Sequence, residues 1–287
     1  MVMAENPIPI NIIEIMGLYH TYPDNTLALQ NINLSIAAGS RTAVLGPNGA
    51  GKSTLLLYFN ATYLPQRGQV MIDGQVLNRD NELWAKIQVG LVFQDPDDQI
   101  FASSVWEDVA FGPRNLKLST AEINRRVENS LKIVDMWKYR QKAPHRLSYG
   151  EKKRVAIAGV LAMDPQIIVV DEPMAYLDPA GQREVFAILN YLNQKGTTLV
   201  IATHDVDTAA AWADQVIILQ EGMIYASGGP ELLLEEKMMH QVNLRLPLVS
   251  QVFLGVKKQK RPELLKIPLS VEEGISTLEH LIRTGGE

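Results

Sequence analysis

The sequence predicts an α/β fold in which a mostly parallel sheet is covered by helices. Three segments of strand length, at residues 41–45, 167–170 and 199–202, are separated by longer stretches that include helical spacing. Apolar strands that alternate with helical segments are typical of a parallel sheet with both faces covered. A chain of 287 residues is long enough for one large domain of this kind, or for an ordinary domain with an appendage.

The composition excludes several classes of protein. With 46% hydrophobic and 21% charged residues it is typical of a globular chain, and the absence of cysteine removes disulfides, thiolate metal sites and cysteine nucleophiles. No stretch approaches the ~20 apolar residues that cross a bilayer, and the first nine residues do not resemble a secretory signal. The net charge of -5 gives no general reason to bind nucleic acid. We therefore expect an intracellular chain that reaches a membrane only through a partner.

The N-terminal elements predict a small antiparallel layer followed by a strand, a loop and a helix. Apolar stretches between residues 10 and 36 are broken by a turn-forming cluster at 22–25, a pattern typical of a β-hairpin or meander. The strand at 41–45 then leads through a Gly-rich loop into an apolar helical pattern at 53–59.

The later elements predict a helical insert and a terminal extension. Ser119 with Glu122 three residues later is a capping-box signature, and helical spacing follows it, so we expect a helical subdomain at about 95–165. Glu221-Gly222 between two apolar runs predicts a hairpin near the end of the main domain. We place that domain at 1–240 and an extension at 241–287, which contains a basic run at 255–266 and a last helix at 271–283.

A phosphate-binding loop follows the first parallel strand. Residues 46–53 match the pattern G-x-x-x-x-G-K-[ST] between a strand and a helix, which is the context the motif requires. The glycines let successive backbone N–H groups point at phosphates, and the helix adds its positive end. Lys52 should contact the β- and γ-phosphates and Ser53 should bind Mg²⁺, whereas the alternative is a merely glycine-rich turn. The expected contacts are Gly46, Pro47, Asn48, Gly49, Ala50, Gly51, Lys52, Ser53 and Thr54.

Two carboxylates follow the apolar run at 167–170. Asp171 and Glu172 should lie at the carboxyl edge of the sheet, where ligands bind in open α/β folds. Asp171 is suited to the Mg²⁺ shell, and Glu172 is suited to accepting a proton from, or orienting, an attacking water. On its own, the pair fits a charge pair at a helix N-terminus equally well.

Three further motifs make residues 10–240 resemble an ATP-binding cassette protein. They are Gln94, the run Leu-Ser-Tyr-Gly-Glu at 147–151 and His204, in that order. The resemblance implies a P-loop NTPase fold with ATP and Mg²⁺ as cofactors and ATP hydrolysis as the activity. It also implies a dimer of cassettes with composite sites, and leaves open whether the second chain is identical or related.

The same resemblance assigns roles to individual residues. Gln94 would touch Mg²⁺ or the lytic water, and His204 would bond the γ-phosphate. Ser148 and Gly150 of the signature motif would reach the γ-phosphate held by the other subunit. At 149 and 151, Tyr and Glu depart from the commonest form, Leu-Ser-Gly-Gly-Gln.

Two more residues are assigned in this way, and several have simpler alternatives. Tyr22 would stack on adenine, and Asp178 would line the opposite subunit's site. Without the resemblance, Tyr22 fits a turn or core tyrosine, Ser148 a helix cap and His204 a structural histidine.

Residues 93–101 and 105–113 look most like the corresponding segments of energy-coupling-factor importers, above all cobalt and nickel uptake ATPases. That likeness implies three partners, namely an integral membrane coupling subunit, a substrate-binding membrane component and a second ATPase chain. It also implies a peripheral location at the cytoplasmic face of the cell membrane and a dimer-stabilising extension. Vitamin uptake and a soluble cassette ATPase remain alternatives, although one P-loop, no sustained heptads and an acidic charge disfavour the latter. A P-loop kinase would not need Ser148, Gly150 and His204.

Overall fold

The structure, a computed structural model, describes residues 10–260 and 266–284. They form two compact units. The first holds residues 10–40 and 53–202, and the second holds 41–52 and the described residues from 203 onward. Each unit is therefore built from segments that are distant in the sequence. The first nine residues, whose sequence does not resemble a secretory signal, and residues 261–265 of the basic run lie outside the described residues.

The strands are numbered along the chain. They are β1 (Asn11–Thr21), β2 (Leu27–Ala37), β3 (Arg41–Leu45), β4 (Arg67–Ile72), β5 (Gln75–Val76), β6 (Val89–Val92), β7 (Ile167–Asp171), β8 (Thr198–Thr203), β9 (Gln215–Gln220) and β10 (Met223–Gly228).

The α-helices are numbered in the same way. They are α1 (Lys52–Phe59), α2 (Glu82–Gln88), α3 (Val105–Asn115), α4 (Thr120–Ile133), α5 (Tyr149–Leu161), α6 (Pro179–Gln194), α7 (Val206–Trp212), α8 (Glu236–Gln241), α9 (Leu248–Lys260) and α10 (Val271–Thr284). Short 3₁₀ segments lie at Pro96–Asp98, Trp137–Tyr139, Pro144–Arg146 and Pro230–Leu234.

The antiparallel sheet belongs to the first unit and has the strand order β2-β1-β4-β5. Ile13 pairs with Ile36 on one side and with Ile72 on the other, and all three side chains are buried. The turn between β1 and β2 is closed by the Tyr22 N–H, which donates to the Thr26 carbonyl at 2.9 Å. The predicted N-terminal hairpin is confirmed.

The parallel strands lie in both units. In the first unit β6, β7 and β8 run parallel, and the apolar residues 167–170 of β7 are fully buried. In the second unit β3 runs parallel to β9, and β10 returns antiparallel to β9 around the predicted Glu221-Gly222 turn. The predicted mostly parallel α/β core is confirmed.

The helical part of the first unit consists mainly of α3, α4 and α5, which pack on one another. Helix α4 begins at its predicted cap, where the Glu122 N–H donates to Ser119 Oγ at 3.3 Å. The Glu122 carboxylate accepts hydrogen bonds from Arg125 and Arg126. The predicted start of the helix is therefore confirmed. The Glu122 side chain, however, pairs with the two arginines instead of accepting from the backbone N–H of Ser119, as a complete capping box would require.

The C-terminal helices lie in the second unit, and α10 confirms the predicted last helix. Helices α9 and α10 pack so closely that a Cβ on Gly274 would lie 2.8 Å from Val249 Cγ2. The Ser250 hydroxyl, which is fully buried, donates to the Pro268 carbonyl at 2.6 Å. Both helices also expose apolar side chains, namely Leu248, Val252, Val256, Val271, Ile275, Leu278 and Ile282.

Candidate active site

The phosphate loop, residues 46–53, leaves β3 and enters α1, as the sequence predicts. A Cβ on Gly46 would lie 2.4 Å from the Leu219 carbonyl oxygen, so only glycine lets the loop pass this close to β9. Gly51 has φ +99°, a conformation that L side chains rarely adopt. The Ala50 carbonyl accepts from the Gly222 N–H at 3.1 Å. The loop is thus fixed on the β9–β10 hairpin, with its backbone bent as phosphate binding requires.

Lys52 lies against the backbone of the same loop. Its side chain is buried, and Nζ donates to the Gly46 carbonyl at 2.8 Å and to the Pro47 carbonyl at 3.2 Å. These bonds hold a positive charge at the first residue of a helix, whose N-terminal end is itself an anion-binding position. The ammonium and the loop N–H groups supply the donors that a polyphosphate needs.

In the second unit, a cavity of about 390 Å³ brings the phosphate loop and His204 together. Pro47 and Asn48 line it from the loop, and His204 lines it from the end of β8. The remaining wall comes from Val206 and residues 243–245. His204 and part of the phosphate loop therefore line the same cavity, an arrangement compatible with the expected bond from His204 to a γ-phosphate.

Arg245 ties this wall to the segment around His204. Its guanidinium donates to Asp207 at 2.5 Å and lies 3.8 Å from the Asp205 carboxylate. Burial raises the pKa of Asp207, but the Arg245 hydrogen bond and the Leu248 N–H outweigh it and lower the pKa below its ordinary value. Asp207 thus stays charged, and Arg245 is its cationic partner in the segment that follows His204.

Tyr22 and Thr54 meet in the first unit. The Tyr22 hydroxyl lies 2.8 Å from Thr54 Oγ1, and the ring stands edge-on to His20 at 4.5 Å between centroids. Thr54 is buried on α1, whereas Tyr22 is half-buried. The aromatic ring expected to stack on adenine is thereby anchored to the helix that follows the phosphate loop.

The two carboxylates stand where β7 ends. Asp171 is partly exposed, and Glu172 is buried with 8% of its surface accessible. Glu172 has φ +42°, and its N–H donates to the Ala202 carbonyl of β8 at 2.8 Å. A non-glycine residue in this region is uncommon and costs conformational energy, and residues strained in this way cluster at functional sites. The backbone of the expected general base is therefore fixed in an unusual conformation.

The signature motif begins α5. The Glu151 N–H donates to Ser148 Oγ at 3.3 Å and the Ser148 N–H donates to the Glu151 carboxylate at 2.8 Å, which completes a capping box. Ser148 is thus a helix cap, which is the role that its local sequence alone predicts. Its exposed hydroxyl still has a proton to donate. Gly150 leaves room at the same helix end, since a Cβ there would make only an ordinary contact with Leu177.

Gln94 and Asp178 occupy loops of the first unit. Gln94 is exposed after β6, and its backbone carbonyl accepts hydrogen bonds from α5. Asp178 is also exposed and caps α6, where its carboxylate accepts from the Gly181 N–H at 2.7 Å. Asp178 therefore has a structural task in addition to the one that the resemblance implies.

Two residues near the site were missed from the sequence. Lys153 is fully buried, and burial lowers its pKa to about 8 although Asp171, Asp95 and Glu172 act in the opposite direction. Its position one turn before Ile157, on the buried face of α5, could have revealed it. Arg245 carries no sequence signal of this kind.

The described units divide the expected residues between them. The first unit contains Ser53, with Tyr22 beside Thr54, Gln94 beside the start of α5, and Asp171 next to Glu172. The second unit contains Lys52 and the loop before it, and one cavity of this unit is lined by Pro47, Asn48 and His204.

Comparison with known proteins identifies the family. The sequence profile of the family described as "ABC transporter" matches residues 29–175, just over half of the chain. The energy-coupling factor transporter ATP-binding protein EcfA of Carboxydothermus hydrogenoformans is 49% identical over 94% of this chain and 98% of its own length.

Two solved structures have the same fold. The chain named cbiO1 of Clostridium perfringens is 41% identical, has a TM-score of 0.74, and is matched over 85% of this chain and 99% of its own. The cassette MJ0796, solved as a dimer in a post-hydrolysis state bound to ADP and Pi, is 30% identical with a TM-score of 0.69, matched over 76% of this chain and 98% of its own. The expected fold and activity are confirmed: the chain belongs to the ABC transporter family, as one of its ATPases, which bind ATP with Mg²⁺.

Proposed function

We propose that this chain is the ATP-hydrolysing subunit of an energy-coupling-factor importer and that it powers uptake of cobalt or nickel through a membrane partner. The observation that carries the transporter assignment is the 49% identity to an energy-coupling factor ATP-binding protein over nearly the whole of both chains. The likeness of residues 93–101 and 105–113 to metal-uptake cassettes supports the metal. The structural neighbour described as part of the transporter complex cbiONQ supports the same branch.

In this proposal the residues of the phosphate loop hold the nucleotide. Loop N–H groups and Lys52 bind the phosphates, Thr54 fixes the ring of Tyr22, and that ring stacks on adenine. The Lys52 contacts with the loop carbonyls and the Tyr22–Thr54 bond support these roles. Ser148 and Gly150, with Asp178, would serve the nucleotide of the second ATPase chain.

Ser53, Gln94 and Asp171 would hold Mg²⁺. Each offers an oxygen donor, which suits a hard cation, and all three side chains are at least partly exposed. No cluster of three or more His, Cys, Asp or Glu side chains that could hold a metal occurs among the residues the structure covers. Mg²⁺ usually takes few protein ligands and keeps water and phosphate oxygens. When bound, it neutralises phosphate charge.

The protein's own contribution to hydrolysis centres on Glu172 and His204. Glu172, held in its left-handed conformation, would accept a proton from the attacking water. His204 would donate to the γ-phosphate oxygen on which charge develops, from the cavity that it shares with Pro47 and Asn48.

An exposed aromatic pair close to the loop that contains Gln94, residues 93–99 (the Gln94 loop), would contact the membrane partner. Phe101 is 67% exposed and Phe111 is 48% exposed, and their rings meet edge-on at 4.8 Å between centroids. The loop below them is fixed, because Phe101 and Ala102 donate backbone N–H bonds to the half-buried carboxylate of Asp108. A rigid apolar projection of this kind suits an integral membrane coupling subunit, which a separate substrate-binding membrane component would accompany.

The C-terminal extension would stabilise the association with a second ATPase chain, identical or related. Its exposed apolar side chains recur at one-turn spacing, at 248, 252 and 256 on α9 and at 271, 275, 278 and 282 on α10. Such stripes are typical of helices that pack against a partner.

We also propose a peripheral location at the cytoplasmic face of the cell membrane. Among the described residues, helices are either too short or too polar to traverse a bilayer. Attachment through the aromatic pair at 101 and 111 would account for such a location.

Uptake measurements test the proposal. Cells that express this chain with its membrane partners should accumulate labelled cobalt or nickel, and Lys52→Ala should abolish accumulation. Lys132→Ala is the matched control, because Lys132 is an exposed lysine of α4 that pairs with Glu128 on the surface. Uptake of a vitamin but of neither metal would refute the metal assignment. Co-purification with ribosomes and with no membrane protein would refute the transporter.

A further inference from the structure

Side chains from the start of α5 hold the loop that follows β6. The Tyr149 hydroxyl donates to the Gln94 carbonyl at 3.1 Å. Lys153 Nζ donates to the Phe93 carbonyl at 2.8 Å and to the Gln94 carbonyl at 2.9 Å. Lys152 pairs with Asp97 at 2.6 Å. The helix that begins with the signature motif is therefore bonded directly to the backbone of the Gln94 loop.

The Gln94 carbonyl receives two of these donors, one neutral and one cationic. A carbonyl oxygen has two lone pairs, so both are used and the peptide plane at Gln94 is fixed. Lys153 is fully buried and holds its ammonium in one place, whereas Tyr149 closes the carbonyl from the more exposed side. Partial burial, with Asp95 and other acids nearby, raises the pKa of Tyr149 to about 12, so the hydroxyl remains a donor at working pH.

Tyr149 also touches a second loop. Its ring stands edge-on to the ring of Tyr176 at 5.7 Å between centroids. Tyr176 lies between Glu172 and Asp178, has φ +60° and is 77% exposed. One side chain thus contacts the loop that carries Gln94 and the loop that follows the expected general base.

We propose that Tyr149 is a positioning residue, which ties the Gln94 loop and the 172–178 loop to the start of α5. The inference rests on the proposed role of Gln94 in hydrolysis. It explains the departure at position 149, because the glycine of the commonest signature form has no side chain to make either contact. Its hydroxyl should therefore affect turnover, whereas nucleotide binding depends on the phosphate loop and Tyr22.

The test is Tyr149→Phe in the complete transporter, which keeps the ring and removes only the hydroxyl. Loss of one neutral hydrogen bond should lower kcat about 3- to 10-fold and leave KM for MgATP within about 2-fold. Amide hydrogen exchange in residues 93–99 should accelerate by a similar factor. Tyr191→Phe is the control, because it removes an exposed tyrosine hydroxyl from α6 in the same unit. Unchanged kcat with unchanged exchange would overturn the proposal, and so would a rise in KM alone.

A second variant separates this inference from the proposed function. Gln94→Ala should lower kcat at least as far as Tyr149→Phe does. If Gln94→Ala retains full turnover, the proposed role of Gln94 in hydrolysis is wrong. Faster exchange in Tyr149→Phe would then show that Tyr149 only holds the loop in place, and its predicted effect on kcat would be refuted as well. If Gln94→Ala is impaired while Tyr149→Phe matches the wild type in both measurements, only the Tyr149 inference fails.

Discussion

Glu172→Gln is the substitution that most directly tests the hydrolytic site. Glu172 is buried, and its backbone is fixed by the bond to Ala202 and by its left-handed conformation. Glutamine has nearly the same shape, but its amide is uncharged, cannot act as a base, and carries an NH₂ donor in place of one carboxylate oxygen. The fold and the phosphate loop should therefore be retained, and the variant should still bind ATP.

The expected loss follows from the role of a general base. A positioned base contributes about 10²- to 10⁴-fold, so turnover should fall at least ~10²-fold. At about 1.36 kcal/mol per decade, the minimum loss raises the barrier by about 2.7 kcal/mol. By contrast, an ion pair between surface side chains one helical turn apart stabilises a fold by at most about 0.5 kcal/mol. Neutralising the carboxylate of such a pair should therefore leave both the fold and the turnover rate unchanged.

Steady-state phosphate release by the complete transporter measures this difference. Glu128→Gln is the matched control, since Glu128 is partly exposed on α4 and pairs with Lys132 at 2.6 Å. The ATP-bound variant should also dimerise, which light scattering follows. Turnover within about 10-fold of the wild type would refute Glu172 as the base, and a strictly monomeric ATP-bound species with membrane partners present would refute the composite sites.

Three further predictions concern the supporting structure. Gly46→Ala places a Cβ 2.4 Å from the Leu219 carbonyl, so it should destabilise the fold by about 1–3 kcal/mol and weaken fluorescent-nucleotide binding; wild-type affinity would contradict this. Ser148→Ala removes the cap of α5 and should cost about 1 kcal/mol in urea unfolding, whereas no loss would show that the cap is idle. The pKa of Asp207 is lowered from 3.8, so its stabilisation is complete above that pH and is lost as the pH falls through the lower folded-state pKa. The difference in unfolding free energy between wild type and Asp207→Asn should shrink only in acid, and a loss near neutral pH would exclude this pair.

Local patterns predicted the elements well. The turn at 22–25, the cap at Ser119 and the Glu221-Gly222 hairpin are each specified by a few adjacent residues whose conformational preferences do not depend on distant contacts. Apolar strands such as β7 were recognisable because both faces of a parallel sheet are covered.

The candidate site was predictable as a set of motifs but not as a set of contacts. Hydrogen bonding between Tyr149 and Gln94 joins residues 55 positions apart, and local propensity carries no information about it. The strain at Glu172 and Tyr176 was equally invisible, because neither residue type favours φ > 0 and the surrounding structure imposes it.

The domain boundary expected at about residue 240 stays a prediction. That position follows the last strand, where the change in pattern is sharp, yet residues 243–245 form part of the cavity wall beside His204. A change in sequence pattern shows where a sheet ends, but it does not show which later residues line a cavity.

The ion pair between Arg245 and Asp207 links the C-terminal segment to the surroundings of His204, so binding at one of these places is thermodynamically coupled to binding at the other. Any factor by which nucleotide in that cavity changes the binding of a partner to the segment must equal the factor by which that partner changes nucleotide affinity. A partner that draws Arg245 away would leave two carboxylates, Asp205 and Asp207, beside the cavity without their cation, which disfavours a bound polyphosphate. Nucleotide release and rearrangement of the extension would then favour each other, even though the extension holds none of the residues assigned to hydrolysis.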